Sequence, residues 1–99
     1  MNVSSEIKNG VLKMAVQGSF DLGTYDEFTH AIPKSADEVS SVEIDLSNTV
    51  FIDSSAIGMI LSLREFLGQK KPITLLKPNG NVKALLDVAQ LGSIMTIKS

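Results

Sequence analysis

The chain has 99 residues, of which 43% are apolar and 20% charged, with a formal charge of −2. That length makes one domain able to bury its own core, and the ordinary composition argues against long disorder and against a collagen-like or coiled-coil chain. There is no cysteine and a single histidine, His30, so a disulfide framework, a thiolate metal site, a cysteine nucleophile and a histidine cluster for zinc are all ruled out.

Val3, Ser5 and Ile7 alternate with polar neighbours, Asn9-Gly10 follows, and Leu12, Met14 and Val16 alternate again. Two alternating runs joined by Asn-Gly predict a β-hairpin with a type I′ turn, and Gly18 ends its second strand. The period then changes. Tyr25, Phe28, Ala31 and Ile32 fall at helical spacing over 23–32, with Thr24 as N-cap and Glu27 completing a capping box. Pro33 stops that helix, and the polar residues 34–40 read as a loop. Val42, Ile44 and Leu46 alternate with Glu43, Asp45 and Ser47, which predicts a strand with one buried face. Asn48-Thr49 reads as an irregular step and Val50-Phe51-Ile52 as an apolar plug.

Asp53 stands at the mouth of a helix running from Ser54 to Leu67 and closed by Gly68. Pro72 opens a short strand, Ile73 to Leu76. Asn79-Gly80-Asn81 forms a turn and cap, after which Val82, Leu85, Leu86 and Ala89 mark an amphipathic helix over 82–90. Gly92 terminates it, and Ile94 to Ile97 make a last strand. The order β-β-α-β-α-β-α-β predicts a single α/β domain over residues 1–99. Right-handed crossovers would build a mixed, mostly parallel sheet behind an N-terminal hairpin.

Charge is uneven along the chain. Residues 1–49 carry eight carboxylates and three lysines, whereas residues 50–99 carry three carboxylates and six cations. Solvated faces are the favoured reading, and the overall balance gives no reason to expect nucleic acid. The start of the chain lacks an apolar signal core, and no run approaches the roughly 18 apolar residues of a membrane span. A cytoplasmic location follows as the expectation. His30 has no second ligand, and Asp26, Glu27, Asp37 and Glu38 show no glycine-centred calcium pattern. No glycine spacing fits a phosphate-binding loop or a dinucleotide fingerprint. No metal, cofactor or catalytic residue is expected.

The sharpest local feature is Phe51-Ile52-Asp53-Ser54-Ser55-Ala56-Ile57-Gly58. Ser54 and Ser55 fall in the first helical turn, where backbone amides lack partners and the dipole is positive. A phosphate on Ser54 would sit in a favourable field and put close to two negative charges on the surface. Ser55, Gly58 and Ser62 then form a stripe of small side chains along which another chain could approach. From spacing alone, capping and packing relief are the favoured reading of these residues.

These residues resemble the signature of the STAS domain, and in particular the anti-sigma-factor antagonists of bacterial partner-switching systems. The family pattern is a strand, a short step, and Asp-Ser-Ser/Thr-Gly-Leu-Gly opening a helix. Gly18-Ser19-Phe20-Asp21 resembles the family's Gly-x-Leu-Asp segment, and Asn81-Val82-Lys83-Ala84-Leu85-Leu86 resembles the helix after its fourth strand. The resemblance covers nearly the whole chain in the family's order. It implies that Ser54, with Ser55 a lesser candidate, is phosphorylated by an ATP-dependent serine kinase that is also the anti-sigma factor. The unmodified form would bind that partner, and a PP2C-type phosphatase would restore binding. Asp21, Asp53, Ser54, Ser55, Ala56, Gly58 and Ser62 would form the partner surface of a protein that is a monomer when free. Two departures stand out. Ala56 replaces the usual glycine, which adds a methyl at the site. The chain also ends soon after its last strand, where many relatives carry a further helix, and is expected to leave some surface open. The runner-up is a non-switching STAS subunit of a transporter or lipid-transport complex. A hydrolase using Ser54 ranks far lower, since a serine nucleophile needs an oriented base and no histidine lies near in sequence.

Overall fold

In the computed structural model, residues 2–99 are described. Two strands, β1 (Val3–Lys8) and β2 (Val11–Val16), are followed by a short β3 (Gly18–Phe20) and by α1 (Tyr25–Ala31). The chain continues through β4 (Ser41–Asp45), β5 (Thr49–Ile52), α2 (Ser54–Leu67), β6 (Ile73–Leu76), α3 (Gly80–Val88) and β7 (Thr96–Lys98). Single 3-10 turns lie at Leu22–Thr24, Ala36–Glu38 and Leu91–Ser93.

The main sheet has the order β1-β2-β4-β6-β7. β1 runs antiparallel to β2 and the later pairs are parallel. The hairpin turns at Asn9 and Gly10 with φ of 54° and 80°, the positive values that a type I′ turn requires at both positions. From β2 outward the strands advance in one direction, so successive right-handed crossovers place all three helices on one face. The central strands β2, β4 and β6 are therefore two-faced. Leu12, Met14, Val16, Val42, Ile44, Leu46, Ile73 and Leu75 are buried beneath the helices. Lys13 and Glu43 are register neighbours on the opposite, more open face. Phe28 of α1, Ile60 and Leu63 of α2, and Val82 and Leu86 of α3 close the core. The Phe20 and Phe28 rings pack with centroids 5.3 Å apart, a contact worth about 1 kcal/mol beyond area burial.

Several local expectations are corrected. Gly18 does not end β2; it opens β3, which pairs in parallel with β5 as a separate two-stranded sheet. Residues 50–52 are not an apolar plug. Thr49 and Ile52 are buried while Val50 and Phe51 are 64% and 51% exposed. Strands this short show too few alternations to reveal a period, and here the pattern places a threonine inside and two large apolar residues outside.

The capping box expected between Thr24 and Glu27 does not form, for Thr24 makes no side-chain cap to α1. Thr24 is instead the last residue of a 3-10 turn capped by Asp21. The Asp21 amide donates to Thr24 Oγ1 at 3.0 Å, and the Asp21 carboxylate accepts the Gly23 amide at 2.9 Å. Glu27 reaches back across the fold and accepts the amides of Asn2 and Val3 at 2.9 and 3.3 Å. Backbone donors at the start of an edge strand compete for that carboxylate with the helix's own amides, and here they win. The loop over 34–40 contains a 3-10 turn capped by Ser35. α3 stops at Val88, two residues earlier than expected, and β7 starts at Thr96 instead of Ile94. Gln90, at φ 59°, opens the turn between them.

Arg64, in the last turn of α2, is only 6% exposed. Its Nε donates to the Gly68 carbonyl at 3.0 Å, Nη1 to Ile94 at 3.4 Å, and Nη2 to the carbonyls of Gly68 and Lys71. The cation thus rests on backbone oxygens at the negative end of the helix and ties α2 to the turns before β6 and β7. Arg64→Met keeps much of the side-chain volume but removes every donor. It is expected to lower stability by about 1–3 kcal/mol, the cost of leaving buried acceptors unpaired. Urea unfolding checks this as a lower midpoint at unchanged slope.

Candidate functional site

The site is built where β3 and β5 end. Phe20 lies opposite Ile52 in parallel register, so the next residues, Asp21 and Asp53, leave neighbouring strands side by side. Such strands stand about 4.8 Å apart. Both aspartates have extended backbone and both are N-caps. Asp21 caps the turn leading into α1, and the Asp53 carboxylate accepts the Ala56 amide of α2 at 3.1 Å. An aspartate suits this place twice over, since its oxygen satisfies an orphan donor and its charge faces the positive helix end.

Ser54 is the first residue of α2 and is exposed; Ser55 behind it is half-buried. The helix then divides by phase. Ala56, Ile60, Leu63 and Leu67 recur at i, i+4, i+7 and i+11 and are buried in the core. Ser55, Gly58 and Ser62 lie on the other side and line a groove of about 650 Å³ between α1 and α2, together with Leu22, Tyr25 and Phe66. Leu22 is 69% exposed. A Cβ added at Gly58 would meet nothing within 4 Å, so the fold itself does not require this glycine. In a helix interior it costs about 0.5–1 kcal/mol relative to alanine.

The residues expected on the partner surface are thus sorted by the structure. Asp21, Asp53 and Ser54 come together at the strand ends, and Ser55, Gly58 and Ser62 extend from them along the groove. Ala56 is the correction. It is 0% exposed, and its methyl meets the core, so replacing the usual glycine there alters packing and not the outer face. Leu22 carries no signal in the linear sequence, and Tyr25, Val50 and Phe51 read there as helix-stripe and plug residues and not as an exposed surface. All four are large apolar side chains left half or more exposed, Leu22 and Tyr25 on the groove and Val50 and Phe51 on β5. His30 is exposed, with Nδ1 bonded to the Asp26 carbonyl at 2.7 Å. Among the described residues no group of three or more histidine or carboxylate side chains could hold a metal ion, and no helix is long and apolar enough to cross a membrane.

The model of the STAS domain family matches residues 2–99. A STAS-domain containing protein of Pseudomonas aeruginosa is 31% identical over 87 residues, spanning 87% of this chain and 86% of that protein. This chain belongs to the STAS domain family. The STAS fold is also shown by solved structures. An anti-sigma factor antagonist from Mycobacterium paratuberculosis is similar at TM-score 0.82 and 21% identity, with 97% of this chain and 85% of that chain covered. The anti-sigma factor antagonist SpoIIAA in its unphosphorylated form is similar at TM-score 0.75 and 17% identity, with 98% and 87% covered. The phosphorylated form of the Bacillus protein matches at TM-score 0.68 and 19% identity, with 98% and 91% covered.

Two substitutions, one at the N-cap of α2 and one inside it, should move the stability of this STAS domain in opposite directions. Asp53→Ala removes the cap and is expected to cost about 1 kcal/mol. Gly58→Ala places its methyl in open space and is expected to gain about 0.5–1 kcal/mol. Thermal unfolding of both variants beside the parent chain checks the pair, and a Gly58→Ala protein that melts lower would contradict the open-space geometry.

Proposed function

We propose that this STAS domain is an anti-sigma-factor antagonist controlled by phosphorylation of Ser54. One observation carries the reading: the exposed Ser54 is the first residue of α2, beside two capping aspartates and at the head of an open, mostly apolar groove. An exposed hydroxyl at that position is accessible to a kinase. The phosphate it would receive lies on unpaired helix amides, so the modification is accommodated without melting the helix. The solved relative SpoIIAA, whose fold this chain shares in both its unphosphorylated and phosphorylated forms, supports the same assignment.

The mechanism is a change of partner. With Ser54 unmodified, the groove and the Asp21–Asp53 edge dock on an anti-sigma factor that is also an ATP-dependent serine kinase, and the sigma factor is freed. The kinase transfers the γ-phosphoryl group of ATP to Ser54 Oγ: the bond from the γ-phosphorus to the β–γ bridging oxygen breaks as the new O–P bond forms, the serine proton is released to solvent, and ADP leaves. The product carries close to two further negative charges next to two carboxylates. A partner surface shaped to meet Asp21 and Asp53 must then desolvate or repel that charge, and the complex dissociates. Hydrolysis by a PP2C-type phosphatase restores the docking form. The chain itself is a kinase substrate and not an enzyme, and such a circuit operates in the cytoplasm.

The test is to isolate the protein from its native cells and map phosphate and bound partners together. The expected result is phosphate on Ser54 and a kinase-like partner recovered only with the unmodified form. Ser54→Ala should hold that partner constantly, and Ser54→Glu should bind it at least tenfold more weakly, a loss of about 1.4 kcal/mol. No phosphate in any growth condition, with a partner bound throughout and indifferent to both substitutions, would overturn the switch. It would leave a non-switching subunit of a transporter or lipid-transport complex.

A further inference from the structure

We propose that Asn79, at the start of α3, is a positioning residue for the Asp53–Ser54 turn and acts on it through Thr49. β5 delivers that turn, yet it is only four residues long. Its ladder partner β3 has three residues, with a register shift between Gly18 and Ser19. Two short strands pairing only with each other are marginal by themselves. The strand is held instead at its first residue. Thr49 is 0% exposed; its amide donates to the Leu46 carbonyl at 3.1 Å and its hydroxyl to the Val16 carbonyl at 2.6 Å. Its own carbonyl accepts Asn79 Nδ2 at 2.6 Å.

Asn79 uses the other end of the same amide to cap α3, where Oδ1 accepts the Val82 amide at 3.0 Å. One side chain therefore joins helix α3 to the strand that ends in Asp53. Capping alone does not call for asparagine, because aspartate and serine cap as well; an ionised aspartate has no donor and serine has one short hydroxyl for both tasks, whereas asparagine puts the acceptor for Val82 and the donor to Thr49 on separate atoms. The backbone approach to it is strained. Lys77 has φ 54° and directly precedes Pro78, a conformation disfavoured for a side-chain-bearing residue and again for a residue before proline. Its amide donates to the Lys98 carbonyl at 2.6 Å, which holds it there. Strain of this kind persists where the surroundings over-determine it, and here it accompanies an amide turned onto β5. With Thr49 fixed, the extended run from Thr49 to Ile52 sets where Asp53 meets the Ala56 amide, and so how Ser54 is presented.

That presentation matters for phosphorylation only if Ser54 is the modified residue, as proposed above; the positioning itself does not depend on that reading. The test uses the full chain with Asn79→Asp and Asn79→Ser. Both keep an oxygen that can cap α3; aspartate has no donor for Thr49, and serine loses the Nδ2 arm that reaches it, its hydroxyl being one bond shorter. Amide hydrogen exchange should accelerate at least tenfold at Ala56 and Ile57, while Leu63 in α2 and Val82 and Lys83 in α3 keep their protection. Exchange unchanged at Ala56, or faster by the same factor at every amide, would show general destabilisation or none and overturn the proposal. Asn79→Ser guards against the charge of aspartate preventing folding. In the same cells, Ser54 phosphate occupancy in the parent chain tests the switch reading separately: its absence there defeats that reading and leaves the exchange result standing.

Discussion

The parallel pairing of β3 with β5 is the constraint on which the candidate site depends. Neither strand belongs to the main sheet, and each is the short continuation of a strand that does. β3 follows β2 after Gln17, and β5 follows β4 after Leu46, Ser47 and Asn48. Because β2 and β4 are parallel neighbours, their continuations emerge at the same edge and can pair. That pairing places Asp21 beside Asp53, sends α1 and α2 off from adjacent points, and opens the groove between them. Ligand and partner sites in open α/β sheets collect at this carboxyl edge, since it is where the loops and helix N-termini converge. The ribbon is too short to be stable alone. It borrows stability from Thr49, whose hydrogen bonds reach β2 and α3, and from Phe20 and Ile52, which are buried in the common core.

Much of this architecture is legible in the amino-acid sequence. Asn9-Gly10 marks the hairpin because both residues tolerate the positive φ that the turn demands. Asp53 and Gly68 bracket α2 as cap and stop, and the resemblance carried by Asp53-Ser54-Ser55 locates the turn. What stays hidden has physical causes. β3 and β5 are too short for a period, and Thr49 reads as a loop residue until its hydroxyl is seen bonded to a buried carbonyl. Glu27 matches a capping box, but the choice between local amides and the distant amides of Asn2 and Val3 is made by tertiary structure. Ala56 is instructive in another way. It sits among small residues, and in the linear sequence Ser55, Ala56 and Gly58 look alike. Helical phase separates them, sending Ala56 to the core side with Ile60 and Leu63 and leaving Gly58 on the groove.

The same phase argument explains how one helix can serve two demands. The core side of α2 carries Met59, Ile60, Leu63 and Leu67 and secures the helix to the sheet. Its outer side carries residues that contribute little to the fold, as the empty space around Gly58 shows. A sequence optimised for stability alone would fill that stripe with better helix formers. Its lining of Leu22, Tyr25 and Phe66 is apolar enough to favour an occupant that removes it from water, at roughly 25 cal/mol per Å² of apolar area covered. On the proposed reading the groove supplies attraction, while the carboxylates and Ser54 at its head supply discrimination.

On the proposed reading, that division of labour is what makes a phosphate an effective switch. The fold's stability, of the order of 5–15 kcal/mol for a domain, resides in the sheet and the buried side of the helices, which the Ser54 hydroxyl does not touch. The phosphate is received at the positive end of α2, where its charge is partly met by helix amides in the free protein. In a complex the same charge is shut away from water beside Asp21 and Asp53, and the low dielectric of an interface raises its cost. Each 1.4 kcal/mol of that difference lowers affinity tenfold, so a few kcal/mol suffice to empty the interface without disturbing the fold. The modification acts on the difference between free and bound states, and the strand ends that place the two aspartates together are what make that difference large.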